Sequence, residues 1–151
     1  MSATIDTVRA FLNEQEWVHE LTDTQSAVRM RFRGANEGWT VLVQEVGEEG
    51  GKLVCYSLPS DRVPEGRRLA AAETITRLNS GLILGNFEME YETGIVRYKT
   101  SADFRGHEVT TGLVGHLVFT NVIMVDRYLS ALWAVVFKGR DPADAVAEVS
   151  E

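Results

Sequence analysis

From Ala27 to Arg33 the chain alternates without a break, with Val28, Met30 and Phe32 set against Arg29, Arg31 and Arg33. That is the period-two signature of a strand with one face buried and one face wet. Upstream the period changes. Ile5, Val8, Phe11 and Leu12 recur at helical spacing, which predicts an amphipathic helix from Thr4 to about Gln15. Gly34 to Gly38 closes a hairpin onto a strand over Trp39 to Val46, and a turn over Gly47 to Gly51 leads to a strand over Leu53 to Leu58. These two strands place large apolar groups on both faces, including Trp39, Val41, Val54 and Tyr56, so something must cover each face.

Pro64 suits the first position of a second helix running to about Leu78, with Leu69, Ala72 and Ile75 inward and Gly81 as a left-handed cap. A second hairpin follows. With Thr93 and Gly94 as a two-residue turn, Tyr91 faces Val96, Met89 faces Tyr98 and Phe87 faces Thr100. On the opposite face Glu90 meets Arg97 and Glu88 meets Lys99, so apolar pairing and charge pairing agree on one register. Gly85 marks a place where the strand bends or another group approaches its backbone closely. A long apolar segment from Leu113 ends at Gly139, and Asp141 with Pro142 opens a short last helix. The order α-β-β-β-α-β-β-α-α, with strands joined by tight hairpins, predicts an α+β fold: an antiparallel sheet of about five strands flanked by helices.

The 151 residues suit one domain over 1–151, able to bury roughly 70% of its extended surface. No linker or repeat divides it. A formal charge of −7 opposes nucleic-acid binding, since only the Arg29, Arg31, Arg33 row could offset the global field. The single Cys55 lies in an apolar run and forms no internal disulfide. The N-terminus lacks a signal-peptide pattern, which sets a cytoplasmic expectation. The segment from Leu113 to Phe137 is long enough to span a bilayer, but Asp126 and Arg127 would each cost about 2.5–3.5 kcal/mol at its centre. It reads as a buried helix, with no membrane partner.

Catalytic signatures are weak. His19, His107 and His116 have no ligand spacing, so no metal is expected, and His116 reads as a hydrogen-bonded core or interface residue. The glycines at 81, 85, 112 and 115 fit neither a P-loop nor a dinucleotide loop, and no cofactor is expected. No nucleophile has an adjacent base, so the chain reads as a non-enzyme. What stands out is apolar excess. The long helix adds Phe119, Ile123, Met124, Tyr128 and Trp133 to an already broad apolar row, more than one sheet can cover, which points to a homodimer interface or a binding groove.

VPEGRRLAAAETITRLN, GLILGNFEMEYETGIVRYKTS, VDRYLSAL and FKGRDPADAV, spread from Val63 to Val146, resemble the YbjN family of bacterial proteins, labelled sensory transduction regulators. The resemblance implies a fold similar to type III secretion chaperones, which commonly dimerise, and it brings no catalytic residues. Two functions stay open. One is a chaperone-like or adaptor homodimer that holds a segment of another protein by a groove or by strand addition. The other is a small-molecule sensor with a cavity between sheet and long helix. Trp39, Tyr56, Phe87, Tyr98, Tyr128 and Trp133 are the candidate partner or dimer contacts, and inward-facing core positions are the competing use for each.

Overall fold

A computed structural model describes residues 1–150 as one six-stranded antiparallel sheet with four helices. Helix α1 (Ala3–Glu14) starts where the Ser2 hydroxyl accepts a hydrogen bond from the Ile5 amide at 3.1 Å. It buries Ile5, Val8, Phe11 and Leu12 as their spacing predicts. Its exit is a Schellman motif: Trp17 N–H donates to Leu12 C=O, Glu16 N–H donates to Asn13 C=O, and Glu16 takes the left-handed conformation at φ 59°.

Strands β1 (His19–Leu21), β2 (Ala27–Arg33), β3 (Gly38–Val46) and β4 (Lys52–Leu58) form a meander. β1 makes the sheet one strand larger than the sequence predicts. Three residues are too few to display an alternation, and β1 exists because β2 offers it a hydrogen-bonding edge, with His19 opposite Met30 and Leu21 opposite Val28. A 3₁₀ turn (Glu65–Arg67) and helix α2 (Arg68–Ser80) then carry the chain to the far edge, where β5 (Asn86–Glu90) lies. β6 (Ile95–Asp103) returns between β5 and β4, giving the order β1-β2-β3-β4-β6-β5. Helix α3 (Thr111–Lys138) crosses β4 and β6, ends at Gly139 with φ 68°, and α4 (Pro142–Ser150) follows with the Asp141 carboxylate capping the Asp144 amide at 3.1 Å.

Three local expectations are corrected. Leu69 is 77% exposed because the buried row of α2 is Ala71, Thr74, Ile75 and Leu78, which leaves Leu69 on the other side of its first turn. Gly81 has φ −95°, so it is not a left-handed cap; the left-handed residue is Gly85 at φ 72°, where a Cβ would come within 2.6 Å of the Tyr98 hydroxyl. The β5–β6 turn takes four residues, Tyr91 to Gly94, and every pair shifts by two: Met89 faces Val96 and Phe87 faces Tyr98. Tyr91 is thereby left half-exposed in the turn. Gly94 N–H donates to Glu90 C=O at 2.8 Å, and Val63 N–H donates to Gly94 C=O at 2.9 Å. A Cβ on Gly94 would lie 2.1 Å from the Val63 carbonyl, so a contact from a distant loop sets this turn. A slip of two keeps each side chain on its predicted face.

The core lies between the sheet and the helices, and a buried polar network sits at its centre. Trp39 Nε1–H donates to Ser57 Oγ at 2.8 Å, and the Ser57 hydroxyl donates to Asn121 Oδ1 at 2.5 Å. Asn121 Nδ2 reaches the Cys55 carbonyl of β4 at 2.7 Å, the Tyr98 carbonyl of β6 at 3.3 Å and Thr100 Oγ1 at 3.2 Å. Thr100 in turn donates to the Leu117 carbonyl at 2.9 Å. Helix α3 has the length and composition to cross a membrane, but in this fold Asn121 and the apolar row around it pack on the sheet.

Replacing Asn121 by Ala removes both sides of this network and leaves a small void. The expected loss of unfolding free energy is about 2–4 kcal/mol, against about 1 kcal/mol for Ser57→Ala. Urea unfolding of the two variants measures this, and an Asn121→Ala loss no larger than that of Ser57→Ala would remove Asn121 from the centre of the network.

Candidate functional site

All four helices lie on one side of the sheet, so alternate strand residues on the other side meet solvent. On β3 and β4 these are Thr40, Leu42, Gln44, Val54, Tyr56 and Leu58, each half-buried by its neighbours alone. The register places Arg29, Leu42, Tyr56 and Lys99 in one row across four strands. The Arg97 guanidinium stands 5.3 Å from the centre of the Tyr56 ring, a cation–π contact. The face is therefore an apolar band on the two central strands, bordered by cations on both sides.

On the β2 side Arg29 pairs with Glu20 at 2.6 Å, and Arg31 donates to the Thr40 hydroxyl at 3.1 Å. Arg33 completes that row. On the other side Glu88 takes both Arg97 and Lys99, each at 2.8 Å. The expected Glu88–Lys99 pair is present. The expected Glu90–Arg97 pair is replaced by Glu88–Arg97, because the slipped register sets Glu90 opposite Ile95. Burial alone would raise the Glu88 pKa, but the hydrogen bonds and charges of Lys99 and Arg97 outweigh it and hold the carboxyl below its ordinary range. At the end of β6, hydrogen bonds from Arg105 hold Asp103 down to about 2.

The candidate aromatic contacts divide sharply. Trp39, Phe87, Tyr98 and Trp133 are buried and are withdrawn as partner contacts. Trp39 and Tyr98 point inward by strand alternation, and Phe87 stacks edge-on against Tyr98 with ring centres 4.8 Å apart. Tyr98 donates its hydroxyl to the Leu84 carbonyl at 2.7 Å, and burial, followed by the nearby Tyr128, raises its pKa to about 12. Trp133 donates to Glu37 at 3.2 Å. Tyr128 is half-buried on α3 beneath Arg127, whose guanidinium lies 5.1 Å from its ring centre. Tyr56 is the one strand aromatic of the six on the open face.

Catalytic candidates gain nothing from the geometry. Cys55 is buried, and desolvation pushes its thiol up to about 12, far from a nucleophilic thiolate. His116 is exposed on α3, which removes the core half of the expectation of a hydrogen-bonded core or interface residue, because the buried row of that helix runs through Val114, Leu117, Val118 and Asn121. Among the described residues no three His, Cys, Asp or Glu side chains group as metal ligands. Several open grooves are present, and three of them have mainly apolar linings. One of about 740 Å³ lies where β1 stops short beside β2, lined by Trp17, Val18, Arg31 and Phe32. One of about 510 Å³ lies between α1 and α3, and one of about 300 Å³ between β6 and α3. The sequence reading named a cavity between sheet and long helix, where the third groove lies, but not the other two, which form where distant elements leave a gap.

A family model described as "Putative bacterial sensory transduction regulator", the YbjN model, matches residues 4–133. The chain belongs to the YbjN family. Its fold agrees: the crystal structure of YbjN from E. coli, described as "a putative transcription regulator", superposes with a TM-score of 0.63. The identity is 12%, covering 89% of this chain and 92% of that one, so this likeness speaks for the fold alone. No curated protein matches the chain. The family description is that of a regulator, with no defined molecular activity.

The depressed Glu88 carboxyl gives this YbjN-family chain a specific acid response. A carboxyl whose folded pKa is lowered contributes stability above its unfolded pKa and loses it as pH falls through the folded value. Glu88→Gln is expected to cost about 0.5–1 kcal/mol at pH 7, reduced by the partial exposure of both cations. The difference from wild type should shrink as pH falls below the ordinary carboxylate range and through the lowered folded value, as denaturant unfolding at a series of pH values would show. A constant difference across that range would mean that packing, not charge, holds Glu88.

Proposed function

We propose that this chain is a non-catalytic regulatory module, cytoplasmic and homodimeric, that holds a segment of another protein against the open face of its sheet. The observation that carries this reading is the uncovered band of Leu42, Val54, Tyr56 and Leu58 between two borders of cations. In a chain of net charge −7, the cations Arg29, Arg31, Arg33, Lys52, Arg97 and Lys99 outnumber the carboxylates Glu20, Glu88, Glu90 and Asp103 on this face. The face therefore suits an acidic amphipathic segment whose apolar side covers Tyr56 and whose carboxylates meet Arg31 and Arg33. That mode matches the chaperone-like or adaptor role implied by the sequence resemblance.

Strand addition is the less favoured mode at the β5 edge. Asn79 donates its side-chain amide to the Phe87 carbonyl at 3.0 Å and accepts from the Phe87 amide at 2.8 Å, filling the positions an added strand would use. A second reading, a small-molecule sensor, is favoured by one feature. The 300 Å³ groove between β6 and α3 is lined by Leu84, Ala102, Phe104, Leu113 and Leu117, with His116 and Thr120 at hand for polar contacts.

Random peptides displayed on phage and selected against the purified protein test the leading reading. Enriched peptides are expected to be net acidic with spaced apolar residues. Their affinity should fall at least about tenfold in Tyr56→Ala and weaken as salt rises. Peptides that bind Tyr56→Ala unchanged, or a selection that enriches nothing acidic, would overturn it. A thermal shift produced by a small metabolite and abolished by filling the groove with Ala102→Phe would favour the sensor instead.

A further inference from the structure

The two cation borders of the open face differ in what already holds them. On the β2 side Arg29, Arg31 and Arg33 stand in one row against a single carboxylate, Glu20, which takes Arg29 at 2.6 Å. Arg31 donates to the Thr40 hydroxyl, and among the described residues neither Arg31 nor Arg33 has a salt-bridge partner. Both are exposed. On the other side Arg97 and Lys99 stand against Glu88 and Glu90, so the charges there balance. Glu88 takes both cations at once: its Oε1 accepts from Arg97 Nε and its Oε2 from Lys99 Nζ, each at 2.8 Å.

Glu88 is the least exposed of these three side chains, and it acts at the margin of the apolar band. The Arg97 it holds also stands over the Tyr56 ring, and Lys99 lies directly opposite Tyr56 in the sheet. A carboxylate arriving from a partner on this side would seek the same two donors. Glu88 already occupies them, fixed in a strand and with no loss of translational freedom to set against its contacts, so an incoming acid gains little by displacing it. No such competitor stands before Arg31 and Arg33.

We infer that Glu88 is an internal stand-in for a partner's carboxylate, one that closes the β6 border to acids and directs the acidic side of a bound segment to Arg31 and Arg33. The inference rests on the acidic-segment reading above and fixes how that segment lies. β3 and β4 separate β2 from β6, so the two borders are about 14 Å apart at roughly 4.8 Å per strand. A helix about 10–12 Å across, lying along the band, meets one border with each flank. The occupant that fits is an amphipathic helix with apolar residues on Leu42, Tyr56 and Leu58, carboxylates on the flank toward Arg31 and Arg33, and uncharged residues toward Arg97 and Lys99. Acids on both flanks would bring a carboxylate up against Glu88, and that repulsion makes the face select one-flanked helices over two-flanked ones.

The test is fluorescence polarisation with two synthetic helix-forming peptides of equal length, net charge and apolar row. One carries its glutamates on a single flank, and the other divides them between both flanks. Each is titrated with the full chain and with Tyr56→Ala, Arg31→Gln/Arg33→Gln, Lys99→Gln, Glu88→Gln and Glu73→Gln, the last removing an equal charge from the Glu73–Arg77 pair of α2, away from this face. Wild type is expected to prefer the one-flanked peptide. Glu88→Gln should tighten the two-flanked peptide about two- to fivefold, while Glu73→Gln leaves both Kd values unchanged. Arg31→Gln/Arg33→Gln should weaken the one-flanked peptide at least about fivefold, and Lys99→Gln by no more than about twofold. A two-flanked Kd that ignores Glu88→Gln, or responds equally to Glu73→Gln, overturns the role of Glu88 while leaving the acidic-segment reading standing. Weakening by Lys99→Gln as large as that by Arg31→Gln/Arg33→Gln overturns the orientation. If neither peptide binds in a way that Tyr56→Ala abolishes, the acidic-segment reading itself falls.

Discussion

The side-chain amide of Asn121 determines how the two layers of this molecule meet. A helix laid over a sheet by apolar contact alone can slide and rotate at little cost, because such contacts are non-directional. Asn121 removes that freedom. Its nitrogen donates to carbonyls of two adjacent strands, Cys55 of β4 and Tyr98 of β6, while its oxygen accepts from Ser57. Every partner is buried, so a rotation of α3 that broke the set would leave several polar groups dry and unpaired, each at about 1–3 kcal/mol. The same constraint decides the outside. With Asn121 held inward, helical geometry sends His116, Thr120, Ile123 and Arg127 to solvent, and with Cys55 and Ser57 held inward, strand alternation sends Tyr56 to the open face. Two surfaces on opposite sides are thus oriented by one buried side chain.

A second set of contacts shapes how the sheet can be approached. The β5 edge is the natural place for a foreign strand, yet Asn79 already occupies the amide and carbonyl of Phe87. Tyr98 fastens the preceding loop through Leu84, and Gly85 is the residue that lets the backbone come that close. Asp126 does comparable work at the opposite end, accepting the Ala35 amide at 2.8 Å and tying the β2–β3 turn to α3. A Cβ on Gly34 would come within 2.2 Å of that carboxylate, so the turn and the helix require glycine there. With the β5 edge capped, the proposed recognition is assigned to side chains on the open face and not to strand addition at β5.

Most of the architecture was legible because it follows from periodicity. The strict alternation of β2, the cap at Asp141 and the stop at Gly139 are local features, and local features are what a sequence displays. The failures have non-local causes. β1 is too short to carry a period of its own. The β5–β6 register slipped because the Val63 backbone, thirty-one residues before Gly94, sets the turn. The surplus of apolar residues was visible, but not which of them the core would absorb, so Trp39, Phe87 and Tyr98 read as contacts as readily as Tyr56 did. Asn121 entered the sequence reading only as a polar residue unfavourable to a membrane helix. Nothing nearby in the chain announces that its partners lie at Cys55, Ser57, Tyr98 and Thr100.

The placement of the two open surfaces has a consequence for regulation. They lie on opposite sides of the helix–sheet core, so a dimer that paired on the helix side would leave both Tyr56 bands uncovered. Such a dimer is bivalent. A partner carrying two acidic segments on one flexible chain would engage the second at a high effective concentration set by its linker, and avidity would exceed single-segment affinity without any new contact. Dissociation of such a dimer would remove avidity while leaving each Tyr56 band unchanged. The groove between β6 and α3 is lined in part by His116 and Thr120 of the helix side, so a ligand seated there would compete with a subunit packed on those residues. By linkage, that ligand would lower the affinity for a two-segment partner without touching the sheet face at all.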